Sequence, residues 1–169
     1  MKGDDVTFMK PSLELDEEIK KIYKTYSASI LRLTYSYVKN HSDAEDIAQN
    51  VLISYMEKAP AFLNDDHKKS WLMRVTSNKC KDLLRSSWKK RTTFFPDDLS
   101  YLPDEASGLL YNVLELDEKY RIPIHLFYYE GYTIAEIADI LDCNAATIGT
   151  WLARGRKLLK TMIGDDFFE

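Results

Sequence analysis

The chain is predicted to be all-α, with two small helical domains joined by a flexible acidic linker and a helix-turn-helix in the second. Three observations predict this. Glycine is absent from Asp4 to Ser107 and proline there is confined to Pro11, Pro60, Pro96 and Pro103, so the breakers that hairpins require are missing. Apolar residues on both sides of residue 92 recur at three-and-four spacing, the period of an amphipathic helix. Between them TTFFPDDLSYLPDEAS, residues 92–107, has two prolines, four acids and no helical period. At 169 residues and 45% apolar content, two small modules can each bury a core.

Residues 1–15 form an N-terminal extension, and the first domain spans 16–91. Between Asp16 and Asn40, Ile19, Ile22, Tyr23, Tyr26, Ile30, Leu33, Tyr37 and Val38 form one stripe that predicts a long helix facing a core. Ser42 with Glu45 reads as a capping box opening a second helix, with Ala44, Ile47, Ala48, Val51, Leu52 and Tyr55 buried and Pro60 beyond its end. After the connection AFLNDDHKKS, a third helix runs from about Ser70 to about Trp88, burying Leu72, Val75 and Leu83 with basic residues on its outer side. Trp71 has two readings, as a core side chain or as a platform on which a base stacks.

The linker occupies 92–107; its side chains Phe94, Phe95, Leu99 and Tyr101 also fit an ordered loop. The second domain, 108–162, begins with apolar segments at Leu109–Leu116 and Ile122–Tyr129, and an acidic tail follows at 163–169. Ile122–Tyr129 is partly β-branched, so a strand competes; a helix is preferred because Pro123 suits a first turn and Gly131 a C′ position. Thr133–Leu159, TIAEIADILDCNAATIGTWLARGRKLL, has helix-turn-helix anatomy. Thr133 and Glu136 form a capping box, Ile134, Ile137, Ala138 and Leu141 an inner face, and Asp142, Cys143 and Asn144 the turn. Asn144 caps a second helix with Ile148, Leu152, Gly155 and Leu159 inward, leaving Thr147, Thr150, Trp151, Arg154 and Lys157 for a major groove. A plain αα-hairpin gives a similar pattern, and Arg154, Arg156, Lys157 and Lys160 also suit the end of any helix.

Charge separates one segment from the rest. From His67 to Arg91 nine Lys or Arg face one acid, a net +8, so a chain of net charge −4 carries −12 elsewhere. A polyanion is drawn to that island and repelled by the remainder, which points to nucleic acid bound on one face with salt-dependent affinity. A face built only for solubility mixes both signs. No apolar run reaches the roughly 20 residues that span a bilayer, and MKGDDVTFMKPSLELDEE is acidic where a signal peptide is apolar, so a cytoplasmic protein without membrane insertion is expected. Cys80 and Cys143 lie far apart, and His41, His67 and His125 have no metal-ligand spacing, so no disulfide, metal or cofactor is expected. No carboxylate, His or Cys constellation with catalytic spacing is present, which argues against an enzyme.

Several motifs resemble one family. DAEDIAQNV (Asp43–Val51) is similar to a polymerase-binding helix, WLMRVTSNKCKDLLR (Trp71–Arg85) to the pattern WLxRIAxNxxxDxxR, and YEGYTIAEIADIL followed by ATIGTWLARGRKLL to YYEGxSxxEIAxxL and TVKSRLxRARxxL. The chain thereby resembles bacterial RNA polymerase sigma factors of the extracytoplasmic-function (ECF) group, from about Ile19 to Lys160. The resemblance implies a non-enzymatic transcription initiation factor whose partners are core RNA polymerase, through its β′ clamp and β flap, and promoter DNA. An anti-sigma protein is a further partner that the family leaves open.

By that resemblance Asp43, Glu45, Asp46, Gln49 and Asn50 would face the β′ clamp; an acidic, amide-rich helix face suits docking on a basic helix pair. Asn64, Lys68, Lys69, Trp71, Arg74, Asn78, Lys81, Arg85 and Lys89 would hold the melted minus-ten strand, with Asn64, Asp65, Asp66 and His67 at the rim of a base pocket. Thr133, Ala146, Thr147, Thr150, Trp151, Arg154 and Lys157 would read the minus-thirty-five element. The chain departs from the family at Gly149, Thr150 and Trp151, where Lys-Ser-Arg is usual, at Asp142, where the turn usually has glycine, and at Asn50, where an acid is typical. A polymerase-independent helix-turn-helix repressor or activator is the alternative, and it leaves the basic first module unused.

Overall fold

The computed structural model describes residues 12–87 and 107–164, and every regular element among them is a helix. Helix α1, Ser12–Val38, buries Ile22, Tyr26, Ile30, Leu33, Tyr37 and Val38 along the expected stripe. Tyr23 departs from it and is 59% exposed, because one residue from Ile22 turns the side chain about 100° around the helix. Thr34 lies wholly inside that face, and its hydroxyl returns to the carbonyls of Ile30 and Leu31 at 3.0 and 2.8 Å.

Lys39 takes a left-handed φ of 54°, with its N–H on Tyr35 O, and leaves Asn40 extended. Asn40 Oδ1 then accepts from Asp43 N at 2.9 Å, so helix α2, His41–Lys58, is capped by Asn40 rather than by Ser42. The reversal already presents a capping side chain two residues earlier, and Ser42 sits exposed in the first turn. Ala44, Ile47, Val51 and Tyr55 face inward, and the Tyr55 hydroxyl donates to Glu18 on α1 at 2.6 Å.

Helix α3, Asp65–Ser87, begins five residues before the expected start. Asn64 Oδ1 accepts from His67 N at 2.8 Å, and Asp65 and Asp66 stand at the positive end of the helix, so the apparent connection winds into the helix. Its inner face holds Leu72, Met73, Thr76, Ser77 and Cys80, with Val75 and Leu83 half-buried. The first three helices pack on one another around these side chains.

In the second module α4 spans Ser107–Glu115 and α5 spans Glu118–Ile124, continued by a π turn at His125–Tyr129. The segment is helical as expected, but Pro123 lies near the end of α5 rather than in its first turn, since Asp117 starts the helix several residues earlier. Glu130 N bonds His125 O at 3.2 Å in the wider π pattern, and Gly131 leaves it at φ 76°, where glycine carries no Cβ penalty.

Helix α6, Ile134–Leu141, opens with the complete Thr133–Glu136 capping box. Asp142 takes the left-handed position (φ 53°) usual for glycine, and Asn144 Oδ1 accepts from Ala146 N at 2.8 Å to start α7, Ala145–Ile163. Ile148, Leu152, Gly155 and Leu159 face inward as the pattern requires. Ile134 does not: at the first helical position it lies on the rim and is 37% exposed, whereas Ile140 is buried.

The two modules are not separate bodies in this structure. Helix α3 packs against α6, α1 packs against α5 and the π turn, and one apolar cluster runs through both modules. Of the linker expected at 92–107, residues 92–106 lie outside the described residues and Ser107 opens α4; of the tail expected at 163–169, Ile163 ends α7 and residues from 165 onward lie outside the described residues.

Candidate polymerase and nucleic-acid interfaces

Helix α2 directs Glu45, Asp46, Gln49 and Asn50 to solvent, with Asp43 half-buried near the cap. All five expected polymerase-facing residues therefore share the accessible part of one helix. Exposed Tyr23, from α1, borders a cleft of about 210 Å³ with Leu31, Glu45, Ala48, Gln49 and Leu52. Ile53 and Met56 are also exposed on α2. The face is mixed acidic and apolar, a feature concealed because Tyr23 falls within the apolar period of α1.

At the start of α3 an aromatic corner is assembled from three elements. Phe62 stacks parallel to Tyr55 at 6.1 Å and meets Trp71 edge-on at 5.8 Å, while Tyr55 and Trp71 are edge-on at 6.1 Å. Trp71 is thus half-buried in a packed cluster, the core reading of its position. His67 stands edge-on to Phe62 at 5.6 Å, and Lys68 Nζ lies 5.8 Å from the Phe62 centroid. Leu15, Glu18, Tyr55, Pro60, Phe62 and Lys68 line an open cleft of about 590 Å³ beside the corner. Phe62, and Leu63 at 90% exposure, were not among the expected site residues. Their signal is the apolar pair Phe62–Leu63 immediately before the Asn64 cap.

The cations of α3 divide into two groups. Lys68, largely covered, is 3.8 Å from Asp65, and exposed Arg85 is 3.6 Å from Asp82, with Asn78 also on the accessible surface. Lys69, Arg74 and Lys81 are each engaged by the second module, with Arg74 still exposed and the other two half-buried. Lys69 Nζ lies 3.4 Å from Glu130 Oε2, Arg74 Nη2 donates to Asp139 O, and Lys81 Nζ donates to Leu141 O at 3.4 Å. Lys89 lies outside the described residues.

Two buried polar residues of the second module went unnoticed in the sequence. Glu130, its side chain 2% exposed, lies 3.1 Å from Arg32 Nη2 and 3.6 Å from His125 Nε2. Burial alone would raise its pKa, but His125, Arg32 and Ser29 outweigh that and hold the carboxyl at about 2. Arg121, 5% exposed, donates from Nε to Ser36 O and from Nη1 to Leu116 O, both at 2.5 Å. Burial lowers its pKa, opposed by Glu118, Tyr37 and Asp117. The signal was present as charged side chains bracketing the apolar run RIPIHLFYYE.

On the helix-turn-helix, Ala146, Thr150, Arg154 and Lys157 are exposed, while Thr147 and Trp151 are half-buried against neighbouring side chains. Thr150 Oγ1 bonds its own helix at Ala146 O, and the Thr133 hydroxyl is engaged by Glu136. Gly149 is open: a Cβ built there meets nothing within 4 Å. Among the described residues, no group of His, Cys, Asp and Glu is arranged to hold a metal, and no helix is long and apolar enough to cross a membrane.

Residues 22–90 match Sigma-70 region 2 and residues 113–159 match Sigma-70, region 4. The ECF RNA polymerase sigma factor SigW of Bacillus subtilis is 26% identical, over 85% of this chain and 88% of SigW. RNA polymerase sigma factor SigV of the same organism is 29% identical, over 78% and 82% of the two chains. The chain belongs to the ECF sigma factors. The fold agrees: sigma factor RpoE from Bartonella quintana, solved in complex with the anti-sigma factor NepR, superposes with a TM-score of 0.73 at 20% identity, over 89% of this chain and 99% of RpoE. CnrH, solved with the cytosolic domain of CnrY, gives 0.67 at 19% identity, over 89% and 90%. As a sigma factor the chain is a transcription initiation factor that directs core RNA polymerase to promoters. The polymerase-independent repressor reading is not favoured, because the region 2 match accounts for the basic first module.

Proposed function

We propose that this sigma factor divides promoter recognition between residues 16–91 for the minus-ten element and 108–162 for the minus-thirty-five element. It has no catalytic step of its own and works in the cytoplasm, where RNA polymerase performs the chemistry. Helix α2 docks on the β′ clamp through Asp43, Glu45, Asp46, Gln49 and Asn50, with Tyr23 supplying apolar contact beside the charges. The second module meets the β flap. The cleft beside Phe62 receives a base flipped from the melted strand, with Asn64 two residues on at the cap of α3, while Lys68, Asn78 and Arg85 follow the backbone. Arg154 and Lys157 hold duplex phosphates, and Ala146 and Thr150 meet base edges beside the open Gly149.

One observation supports this reading above the others. An aromatic corner flanked by a cation, at the capped start of a basic helix, is what unstacked bases require and what a duplex-only repressor does not. Run-off transcription with core polymerase on a genomic library tests it. Transcripts from a restricted promoter set are expected, and Phe62→Ala should abolish them while leaving polymerase binding intact. No promoter-selective transcript, or full activity in F62A, would refute the assignment. An anti-sigma protein, if this chain has one, would compete for the mixed acidic and apolar face of α2.

A further inference from the structure

The second helix of the helix-turn-helix presents little polar chemistry at its leading end. Between Ala145 and Ala153 no Arg, Lys, Asn, Gln, Asp or Glu occurs. Ala146, Gly149, Thr150 and Ala153 follow at three-and-four spacing and share one side of α7, with Ala146, Thr150 and Ala153 exposed. Thr150 Oγ1 donates to Ala146 O at 3.0 Å, which turns the hydroxyl proton to the helix and leaves a methyl to face outward. At Gly149 an added Cβ would meet nothing within 4 Å, so bare backbone floors an open notch beside Thr150. The polar groups nearest this end are committed. Asn144 Oδ1 accepts from Ala146 N at 2.8 Å, and the Glu136 carboxylate accepts from Thr133 N and Oγ1 at 2.8 and 2.9 Å.

Each base edge in the major groove is read by a matching group. Guanine takes a bidentate Arg or Lys, adenine a bidentate Asn or Gln, cytosine a carboxylate, and thymine an apolar contact for its C5 methyl. In helix-turn-helix docking the N-terminal residues of the second helix meet those edges. Here they are Ala145, Ala146, Thr147, Gly149 and Thr150, whose side chains carry methyl groups and two hydroxyls, one of them spent within the helix. The bidentate and carboxylate partners are therefore missing, and the methyl partner is present several times. The cations come later. Arg154 lies four residues past Thr150, about 6 Å along the axis, and Lys157 about 4.5 Å beyond that, where phosphates rather than the row of bases are within reach.

We propose that α7 selects its duplex by thymine methyl groups, with Ala146 and Thr150 as the specificity-determining side chains and the Gly149 notch admitting one C5 methyl. This rests on the reading of α7 as the minus-thirty-five reader and supplies the base class it selects. From Ala146 to Thr150 the helix advances about 6 Å, and stacked bases are about 3.4 Å apart, so two adjacent thymines fall under it. Arg154 and Lys157 add affinity without regard to sequence. A competing reading turns Arg154 inward onto a guanine, and it predicts guanine rather than thymine at the contacted positions.

The experiment uses holoenzyme assembled from the full chain and core polymerase, with a duplex promoter fragment recovered from the genomic run-off. Deoxyuridine replaces each thymidine upstream of the melted region in turn, which deletes the C5 methyl and leaves the pairing edge intact. Competition binding reports affinity. Two adjacent positions should each lose about fourfold, the effect of one buried methyl. Thr150→Ser keeps the hydroxyl that bonds the helix and removes the methyl, so its preference for thymidine over deoxyuridine should vanish at one of those positions. Its affinity for the deoxyuridine fragment should stay within about twofold of wild type, which separates the lost contact from a folding defect. Equal affinity for both nucleosides at every upstream position, an unchanged preference in T150S, or guanine-dependent binding that Arg154→Ala abolishes would overturn the proposal. Failure of the sigma reading is distinct: no promoter-directed run-off would occur, and the proposal would fall with it.

Discussion

Arg121 is the side chain on which the joint between the modules most depends, and replacing it has a calculable cost. Its guanidinium reaches the C-terminal carbonyls of two helices at once: Ser36 O and Tyr37 O on α1, at 2.5 and 3.4 Å, and Leu114 O and Leu116 O at the end of α4, at 3.5 and 2.5 Å. Two of these bonds are short and two are at the limit of useful length. A hydrogen bond to a charged group contributes about 1.5–3 kcal/mol, and Arg121→Ala would also leave buried carbonyls without donors. Allowing for non-additivity and for the relief of no longer burying a cation, the expected loss is about 3 kcal/mol. With a urea slope of about 2 kcal/mol/M for a chain of this size, the midpoint should fall by about 1.5 M. Arg121→Lys should recover less than half, because one ammonium cannot span acceptors on two helices. Urea titration followed by circular dichroism makes the measurement. A loss below about 1 kcal/mol in R121A, or full recovery in R121K, would show that these carbonyls are satisfied without the fork.

Acid should act on the same joint through Glu130. Its folded pKa of about 2 lies below the ordinary carboxyl value of 4.5, so its contribution is complete above pH 4.5 and is lost as pH falls toward 2. Urea midpoints of wild type and Glu130→Gln should therefore converge across that window; a constant separation would contradict the assignment. The two glycines of α7 should respond in opposite directions. Gly149→Ala meets open space and should stabilise by about 1 kcal/mol, the helix-propensity difference, read as a higher thermal midpoint. In Gly155→Ala the new Cβ would stand 2.5 Å from Ile124 Cδ1 and 3.3 Å from Tyr120 Cβ, inside packed surroundings. That variant should lose about 1 kcal/mol net, and a stabilised G155A would show that α5 yields freely.

Local chemistry carried much of the fold into the sequence. The Thr133–Glu136 box, the Asn144 cap and the inward set Ile148, Leu152, Gly155 and Leu159 depend on spacing within one or two turns, and each stands where its pattern requires. Where two caps competed, spacing was insufficient: Asn40 displaced Ser42 because left-handed Lys39 had already turned the chain. The early start of α3 has a similar cause, since Asn64 is a sound cap before an unpromising run of polar residues. Tyr23 and Ile134 lay within apolar periods but at their edges, where the neighbouring helix decides whether a side chain is covered.

The sequence by itself determined the helices, the caps of the helix-turn-helix, the basic island and the family, since all are written in residues close together along the chain. Tertiary structure alone decided which cations are engaged by the second module. Lys69, Arg74 and Lys81 read as part of the same outer face as Arg85, yet acceptors about 60 residues away engage them. The aromatic corner likewise draws Tyr55, Phe62 and Trp71 from two helices and a connection. Periodicity records the side of a helix on which a residue lies; it contains no information about what a distant segment brings to that side.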